Sequence, residues 1–558
     1  MNNAVGKVAY WLVLTLPVIL ALVFSSAFSA SFSAPKSAVL GLASFVLGAL
    51  ALIFESRWKR PREEWPLWIA AASFAGITLV SAVRSQGPLV CFESVELPVC
   101  GVLLFAASLA ALSGENSARK TRNLQIAISL AAVLVSVVAV AQFFGLNMPG
   151  ALRPLESASN RMRIFSTLGN PDFVAVFLAV AIPAAIGLSV AARRGRTRRA
   201  WVGISACALI GVAIVLTGSR GGVLAGAVGV SVAAIALKVK RGPILIGVGL
   251  ACALAAGTHL NTRTPWESLR GRTFIWQVTL DERAVGSGPG SFAYAYPARL
   301  GRFFSEPGHN ALLHFAGREL HAQNDFVEAW HDTGWLGAGS LLLLLGAWFR
   351  IAIRRLRAAD AATGPAIAAA IASVSALCVA TLFDFPMHRA ETLALLWLSM
   401  AVPLASPTVP LALRGRARWL SYAGAAGLVV IGSYLCFAPL AASYEIAKGE
   451  FDENAEQLDS SQLAYRAALR WEPSSPDANY DLVRALAKSG DYPDALAQSR
   501  ITVRYVDEPE LYLLRSRILQ NAGRNIEARR ELEEAERRFP YAKQVHAEIA
   551  SLPPPGTE

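Results

Sequence analysis

The stretch HAQNDFVEAWHDTGWLG, residues 321–337, places ionisable side chains directly before the apolar run GSLLLLLGAWF. His321 could act as a general base on a sugar hydroxyl, because imidazole titrates near neutral pH. A histidine that only forms hydrogen bonds at this boundary is the alternative. A zinc hydrolase is not indicated, because His321 and His331 lack the i, i+4 spacing of zinc-binding helices. We therefore expect chemistry here without a metal or another cofactor.

Arginine residues form the second group of candidates. Arg220, in LTGSRGGVLAG, lies between two apolar segments, where a buried arginine is costly and indicates a functional site facing a polar cavity. A boundary arginine that reaches the membrane surface is the alternative. Guanidinium groups bind phosphate oxygens in pairs, which suits a pyrophosphate ligand. The connection at 259–322 contains no lysine. Its arginines are Arg263, Arg270, Arg272, Arg283, Arg299, Arg302 and Arg318.

A membrane scaffold must position these residues. The chain is 54% hydrophobic and only 16% charged, whereas soluble domains carry about 25% charged residues. Stretches of the roughly 17–25 apolar residues that span a bilayer recur along the sequence. We predict an all-α fold with thirteen spans near 8–30, 36–54, 65–83, 97–113, 122–143, 171–191, 200–218, 221–237, 242–258, 333–350, 363–381, 390–405 and 418–440.

The distribution of basic residues predicts the orientation of these spans. Clusters of Lys and Arg follow every second span, which places them in the cytoplasm, with the connection at 259–322 and the C-terminus on the outer face. The net charge of +12 then reflects contact with anionic membrane lipids rather than with nucleic acid. Cys91 and Cys100 lie in or beside one outer loop, where a disulfide could form.

The tail after Ala441 changes to charged, alanine-rich sequence with an internal repeat. Segments 464–473 and 531–540 match two periods of about 33 to 34 residues apart. The matched pairs in these segments are Tyr465 with Leu532, Ala468 with Ala535 and Pro473 with Pro540. Between the segments, Gly490 matches Gly523 and Ala495 matches Ala528, one period apart. This tail, 442–558, resembles the tetratricopeptide repeat, which implies a docking surface for a protein partner on the outer face.

Five segments together resemble the O-antigen ligase and polymerase superfamily of bacterial membranes, across residues 1–441. They are FSTLGNPDFVAVFLAVAIP (165–183), LTGSRGG (216–222), the run GRTFIWQVTLDERAVGSGPGSFAYAYP (271–297), the 321–337 stretch and DFPMHRAETLALLWL (384–398). The resemblance implies a metal-independent glycosyltransferase of the cytoplasmic membrane. It would pass a glycan from undecaprenyl pyrophosphate to an acceptor hydroxyl on the outer face.

The resemblance also implies roles for single residues. Arg220 and Arg272 would hold the pyrophosphate and stabilise its charge as it leaves, assisted by Arg161 and Arg163 in the outer segment before Asn170. Asn170, Gln323 and Asn324 are further candidates for binding the donor or the acceptor. Asn324 matches the asparagine of the family's His-Asn pair. Gln323 stands where ligases commonly have a histidine, and His321, two residues earlier, is the candidate replacement for that base.

The resemblance leaves the acceptor open among lipid A core, another glycan chain and a protein hydroxyl, since the phosphate chemistry is the same for each. A protein of another class would be a non-enzymatic factor for surface-polysaccharide assembly that has lost its base at Gln323. A transporter is disfavoured, because few charged residues lie within the predicted spans and no internal duplication is visible.

Overall fold

The computed structural model describes residues 2–53, 62–85, 96–146, 164–195, 199–239, 265–280, 284–405 and 416–552. Across these ranges the regular secondary structure is helical, and no strand is present. The predicted all-α class is therefore confirmed for the described part of the chain.

Most of the described α-helices before residue 406 are apolar, and the exceptions are Pro265–Thr279 and Phe292–Ser305. Seven helices of the described ranges are long and apolar enough to cross a membrane, and shorter apolar helices accompany them. Every predicted span within the described residues overlaps a helix, but the first, predicted at 8–30, is too long because α1 ends at Leu22. The predicted span at 242–258 lies outside the described residues. The number of spans stays a prediction. The helices are α1 (Asn2–Leu22), α2 (Ala34–Ile53), α3 (Trp65–Arg84), α4 (Glu96–Leu112), α5 (Ser117–Phe143), α6 (Pro171–Arg194), α7 (Arg199–Leu216), α8 (Arg220–Ala236), α9 (Pro265–Thr279), α10 (Phe292–Ser305), α11 (Asp325–Arg357), α12 (Gly364–Ala380) and α13 (Ala390–Ala401).

Helix α6 lies at the centre of the apolar helices and packs against α7, α8 and α12. Of its most apolar stretch, 78% is buried inside the protein. Small residues let these helices approach closely, as is usual in membranes. A Cβ atom on Gly222 of α8 would lie only 2.3 Å from the Cβ of Ala175 in α6.

Helix α11 carries both the polar stretch and the apolar run that follows it. Its backbone is interrupted at Gly334, with φ 70° and ψ −179°, a conformation that favours glycine. A Cβ at this position would also lie 2.3 Å from the carbonyl oxygen of Ala284. The polar turns from Asp325 to Thr333 therefore form a short helical segment that is offset from the apolar part.

The described part of the connection at 259–322, called the outer connection after its predicted side, is helical and has its own apolar core. Helices α9 and α10 and the 3-10 helix Asn310–Phe315 contribute to it. The buried side chains at its centre are Phe274, Ile275, Phe292, Tyr296 and Leu300.

The tail is a series of helices, each packed on the next. Helix α14 (Arg416–Asn454) runs through the predicted boundary at 441/442 and ends inside the tail. The predicted repeat partners Tyr465 and Leu532 are both fully buried, and Gly490 and Gly523 both have positive φ. The solenoid and its domain boundary stay predictions. The remaining helices are α15 (Leu458–Trp471), α16 (Pro476–Lys488), α17 (Tyr492–Thr502), α18 (Pro509–Asn521), α19 (Asn525–Arg538) and α20 (Lys543–Ser551).

The tail contacts the outer connection. The Arg318 guanidinium lies 2.9 Å from a Glu508 carboxylate oxygen, and Tyr541 packs on Phe304 of α10. A Cβ on Gly301 would come within 2.0 Å of the Arg538 carbonyl oxygen, so α10 and α19 touch through their backbones.

Candidate functional site

A cavity of about 290 Å³ lies where α6 and α8 begin, and we call it the arginine cavity. Arg272 of α9 is its cationic residue among the described lining groups. The other lining residues are Asn170, Asp172, Phe173, Val176, Ser219, Gly221, Gly222, Gln323, Ala380, Phe383, Asp384 and Phe385.

Two helix N-termini face this cavity. The Asn170 side chain accepts a hydrogen bond from the Asp172 amide at 2.8 Å, and Ser219 Oγ accepts one from the Gly222 amide at 3.2 Å. Each residue thereby caps its helix. The partial positive charge at a helix N-terminus attracts anions, and Arg272 adds a full charge, so the arginine cavity suits an anionic ligand.

A buried network holds the FSTLG segment before Asn170. Lys36 is fully buried and donates hydrogen bonds to the carbonyl oxygens of Thr167 at 2.8 Å and Val23 at 2.6 Å. The Ser166 amide donates to Gln142 Oε1 at 2.6 Å. These contacts fix the position of the α6 cap, and the sequence analysis did not single out Lys36.

Two carboxyl groups, Asp172 and Asp384, also line the arginine cavity. Burial raises the pKa of Asp384 to about 6; nearby Asp172 and Asp325 also raise it, whereas a hydrogen bond from the Phe385 amide and nearby Arg272 lower it. Below this pH the carboxyl is mostly neutral and tolerates an anion. Above it, the negative charge of Asp384 opposes one.

A larger cavity of about 540 Å³ lies beside the polar turns of α11, and we call it the carboxylate cavity. Its polar part is lined by His321, Asp325, Glu328, Asp332 and His388. Its apolar part continues between the membrane helices and is lined by Phe74, Leu341, Leu344, Leu345, Leu393, Leu396, Trp397 and Met400. The tail residues Glu472 and Pro476 border it as well.

His321 is held by a carboxylate and an aromatic ring. Its Nδ1 lies 2.8 Å from Glu328 Oε1, and its ring stacks on Phe385 with 4.1 Å between centroids. Glu328 Oε2 accepts a hydrogen bond from the Ala322 amide at 2.9 Å. If His321 donates through Nδ1, then Nε2 is the nitrogen that can accept a proton, which is the arrangement of an oriented general base.

His388 completes this cluster from another part of the chain. Its Nδ1 lies 2.9 Å from Asp325 Oδ1, and its Nε2 lies 3.4 Å from Glu328 Oε1. Burial lowers the pKa of His388, but Glu328, Asp325 and Asp332 outweigh burial and raise it to about 10. Ligand atoms of His321, Glu328 and His388 all lie within 4.8 Å of one another, close enough to bind one metal ion.

The segment 321–323 separates the two cavities. His321 lines the carboxylate cavity, Ala322 is buried and Gln323 lines the arginine cavity. Gln323 has a φ of 54°, a left-handed conformation that turns the chain into α11. Gln323, at the position where the ligases commonly have a second histidine, therefore faces the arginine cavity. His321, its candidate replacement, faces the carboxylate cavity.

The structure brings together some of the predicted site residues. Arg272, Asn170 and Gln323 share the arginine cavity. Arg220 is the first residue of α8 and is exposed; its neighbours line the cavity, but Arg220 is not one of the lining residues. Asn324 is buried and caps α11. Arg161 and Arg163 lie outside the described residues, as does Cys91.

Glu328, Asp384 and His388 are site residues to which the sequence analysis assigned no role. Glu328 lies in the quoted polar stretch, seven residues after His321. Asp384 and His388 belong to the segment DFPMHR, which was used only as part of the resemblance to the O-antigen ligases and not as a site. A polar, proline-containing break between two apolar runs was the signal that could have identified them.

Taken together, the long apolar helices indicate an α-helical membrane protein, and two neighbouring cavities in it are lined by ionisable side chains. No protein-family model matches this chain, and no curated protein matches it either.

Proposed function

We propose that this protein transfers a glycan from undecaprenyl pyrophosphate to an acceptor hydroxyl at the outer face of a bacterial cytoplasmic membrane. The observation that carries the proposal is the pairing of a cavity lined by Arg272 and two capped helix N-termini with a second cavity that contains an oriented histidine. The resemblance to O-antigen ligases supplies the donor and the orientation in the membrane, with the tail on the periplasmic side.

The donor pyrophosphate would occupy the arginine cavity. Arg272 would form charge-assisted hydrogen bonds with phosphate oxygens, while the capped N-termini of α6 and α8 add amide dipoles. Arg220, at the start of α8, is the second arginine for the phosphates. Fixed positive groups of this kind stabilise the charge that develops on a leaving pyrophosphate.

The acceptor hydroxyl would approach from the carboxylate cavity. Glu328 orients His321, which takes the hydroxyl proton at Nε2 as the oxygen attacks the anomeric carbon of the donor sugar. The pyrophosphate then leaves with the electrons of the broken glycosidic bond. Gln323 would bind the donor by hydrogen bonding, because an amide does not accept a proton near neutral pH.

The test uses purified protein, extracted lipid-linked glycan and three acceptors in parallel: lipid A core, a second glycan chain and a protein with accessible hydroxyl groups. Release of undecaprenyl pyrophosphate reports transfer, and the acceptor that gains mass assigns the enzyme as a ligase, a polymerase or a protein glycosyltransferase. Arg272→Ala removes hydrogen bonds worth about 1.5–3 kcal/mol, so we expect donor binding to weaken roughly 10- to 150-fold.

Matched controls distinguish the site from the surrounding surface. Arg270→Ala removes an exposed arginine from the same helix, and His314→Ala removes an exposed histidine from the same connection; both should retain transfer. We expect His321→Ala to abolish transfer and Gln323→His to keep or improve it. Wild type that transfers to no acceptor, together with activity created by Gln323→His, would instead identify an assembly scaffold with a lapsed site.

A further inference from the structure

Three carboxylates in the polar turns of α11 have no lysine or arginine as an ion-pair partner among the described residues. Asp325, Glu328 and Asp332 are buried, with 2%, 1% and 6% of their surface exposed. Their ion-pair partners within the described ranges are histidines only. A buried carboxylate is costly unless a positive charge compensates it. Protonated histidines or a bound cation must therefore supply that charge.

The side chains already surround a common point. Glu328 Oε1 lies 2.8 Å from His321 Nδ1 and 3.4 Å from His388 Nε2, and the three ligand atoms lie within 4.8 Å of one another. Because Glu328 Oε2 is engaged by the Ala322 amide, Oε1 is the oxygen directed at both rings. Two imidazoles and one carboxylate are a common ligand set for divalent transition metals, zinc in particular.

His388 is also oriented as metal-binding histidines usually are. Its Nδ1 faces Asp325 Oδ1 at 2.9 Å, and Asp325 Oδ2 accepts a hydrogen bond from the Met387 amide at 2.9 Å. Metal-binding histidines commonly donate their second ring N–H to a carboxylate, which fixes the tautomer and makes the ligand nitrogen more basic. This arrangement directs His388 Nε2 toward Glu328 Oε1, where a bound cation would replace the Nε2 proton.

We infer that His321 Nδ1, Glu328 Oε1 and His388 Nε2 together bind one divalent cation, with Zn²⁺ the best match to these ligands. Asp325 is the outer carboxylate that positions His388. The cluster lines the carboxylate cavity, which leaves room for a water molecule as the fourth ligand. The sequence predicts no metal here, because His321 and His331 lack the spacing of a zinc-binding helix. His388 is far from His321 in the chain, and only the fold brings their two rings together.

Cation binding would regulate the proposed glycan transfer, and this consequence depends on that proposed function. A cation on His321 Nδ1 leaves the ring proton on Nε2, so His321 cannot take a proton from the acceptor. The cation-bound protein would be inactive in transfer, and removal of the cation would restore the base.

The experiment measures binding directly, with Co²⁺ and Zn²⁺ as the probes. Full-length protein in detergent is treated with a chelator and titrated with Co²⁺, whose visible absorption reports coordination by nitrogen and oxygen. We expect one Co²⁺ per chain, displaced by one Zn²⁺, and a higher Tm with Zn²⁺ because a ligand bound to the native state stabilises it. Absence of a saturable signal at one equivalent would overturn the inference.

Variants identify the ligands. Asp325→Asn should weaken binding by about 10- to 100-fold, the usual effect of losing an outer carboxylate, and His388→Ala and Glu328→Gln should weaken it further. His321→Gln serves as the conservative variant if one of these does not fold. His314→Ala, which alters an exposed histidine outside the cluster, should bind like wild type. Full binding by folded His388→Ala would reject the site.

The two proposals can fail separately. Binding of one cation by a protein that transfers glycan to no acceptor keeps the metal site and rejects the glycosyltransferase. Transfer by a protein that binds neither Co²⁺ nor Zn²⁺ at the cluster rejects the metal site and keeps the glycosyltransferase.

Discussion

Asn324 caps the polar turns of α11, and replacing it should have a measurable cost. Its Oδ1 accepts hydrogen bonds from the amides of Phe326 at 2.9 Å and Val327 at 3.2 Å, and its Nδ2 lies 3.4 Å from the Leu382 carbonyl oxygen. Asn324→Ala leaves two amides unpaired at a buried helix end. Loss of an N-cap lowers the free energy of unfolding by about 0.5–2 kcal/mol. Because this cap is buried, we expect a loss in the upper half of that range, about 1–2 kcal/mol.

Thermal unfolding followed by tryptophan fluorescence measures this cost. A change of about 1–2 kcal/mol in a chain of this size lowers Tm by roughly 1–3 °C, because the unfolding entropy grows with chain length. Transfer should fall with Tm, since the first turn of α11 carries Asp325 and Glu328. Asn324→Ser is the matched control, because serine caps a helix about as well as asparagine.

One result would refute the capping role, and another would add a substrate contact to it. An unchanged Tm in Asn324→Ala would mean that the cap contributes no stability. Asn324→Ser with the Tm of wild type but without transfer would mean that the Asn324 amide itself contacts the substrate, as the resemblance to the His-Asn pair of the ligases suggests.

Three further predictions concern the arginine cavity, the central helices and the tail. Because the pKa of Asp384 is raised to about 6, donor binding should weaken as the pH rises through 6. The affinity should fall about tenfold for each unit by which the bound donor shifts this pKa. Donor affinity that does not change with pH in wild type, or that still falls with pH in Asp384→Asn, would contradict this prediction. Gly222→Ala places its Cβ 2.3 Å from α6 and should destabilise the protein by about 1–3 kcal/mol. Its control is Gly211→Ala, whose Cβ would have nothing within 4 Å and should leave Tm unchanged. Equal Tm values for the two variants would argue against tight packing of α8 on α6. Gly301→Ala places its Cβ 2.0 Å from a carbonyl oxygen of α19 and should speed limited proteolysis between the outer connection and the tail. Its control is Gly317→Ala, whose Cβ would have nothing within 4 Å and should not change the cleavage rate. Identical cleavage rates for the two variants would refute the contact between α10 and α19.

Much of the fold could be predicted because it depends on local properties of the chain. An apolar run of sufficient length buries its surface only as a helix in a membrane, where the backbone must pair internally, and the predicted segments such as 171–191 coincide with helices. The tail pattern likewise predicts which small residues are buried, and Ala468 and Ala535 are both fully buried. Kinks were less predictable: nothing local distinguishes Gly334 from the other glycines of α11.

The residue types in HAQNDFVEAWHDTGWLG indicated a site by themselves, because ionisable groups beside an apolar run are costly without a purpose. The roles of these residues depend on tertiary packing. The turn after α12 brings Phe385 and His388 against His321. The residues of one continuous polar stretch therefore line two cavities, with Gln323 in one and His321 in the other. Such contacts join segments far apart in sequence, and their energy comes from burial and hydrogen bonding between helices, which no local pattern records.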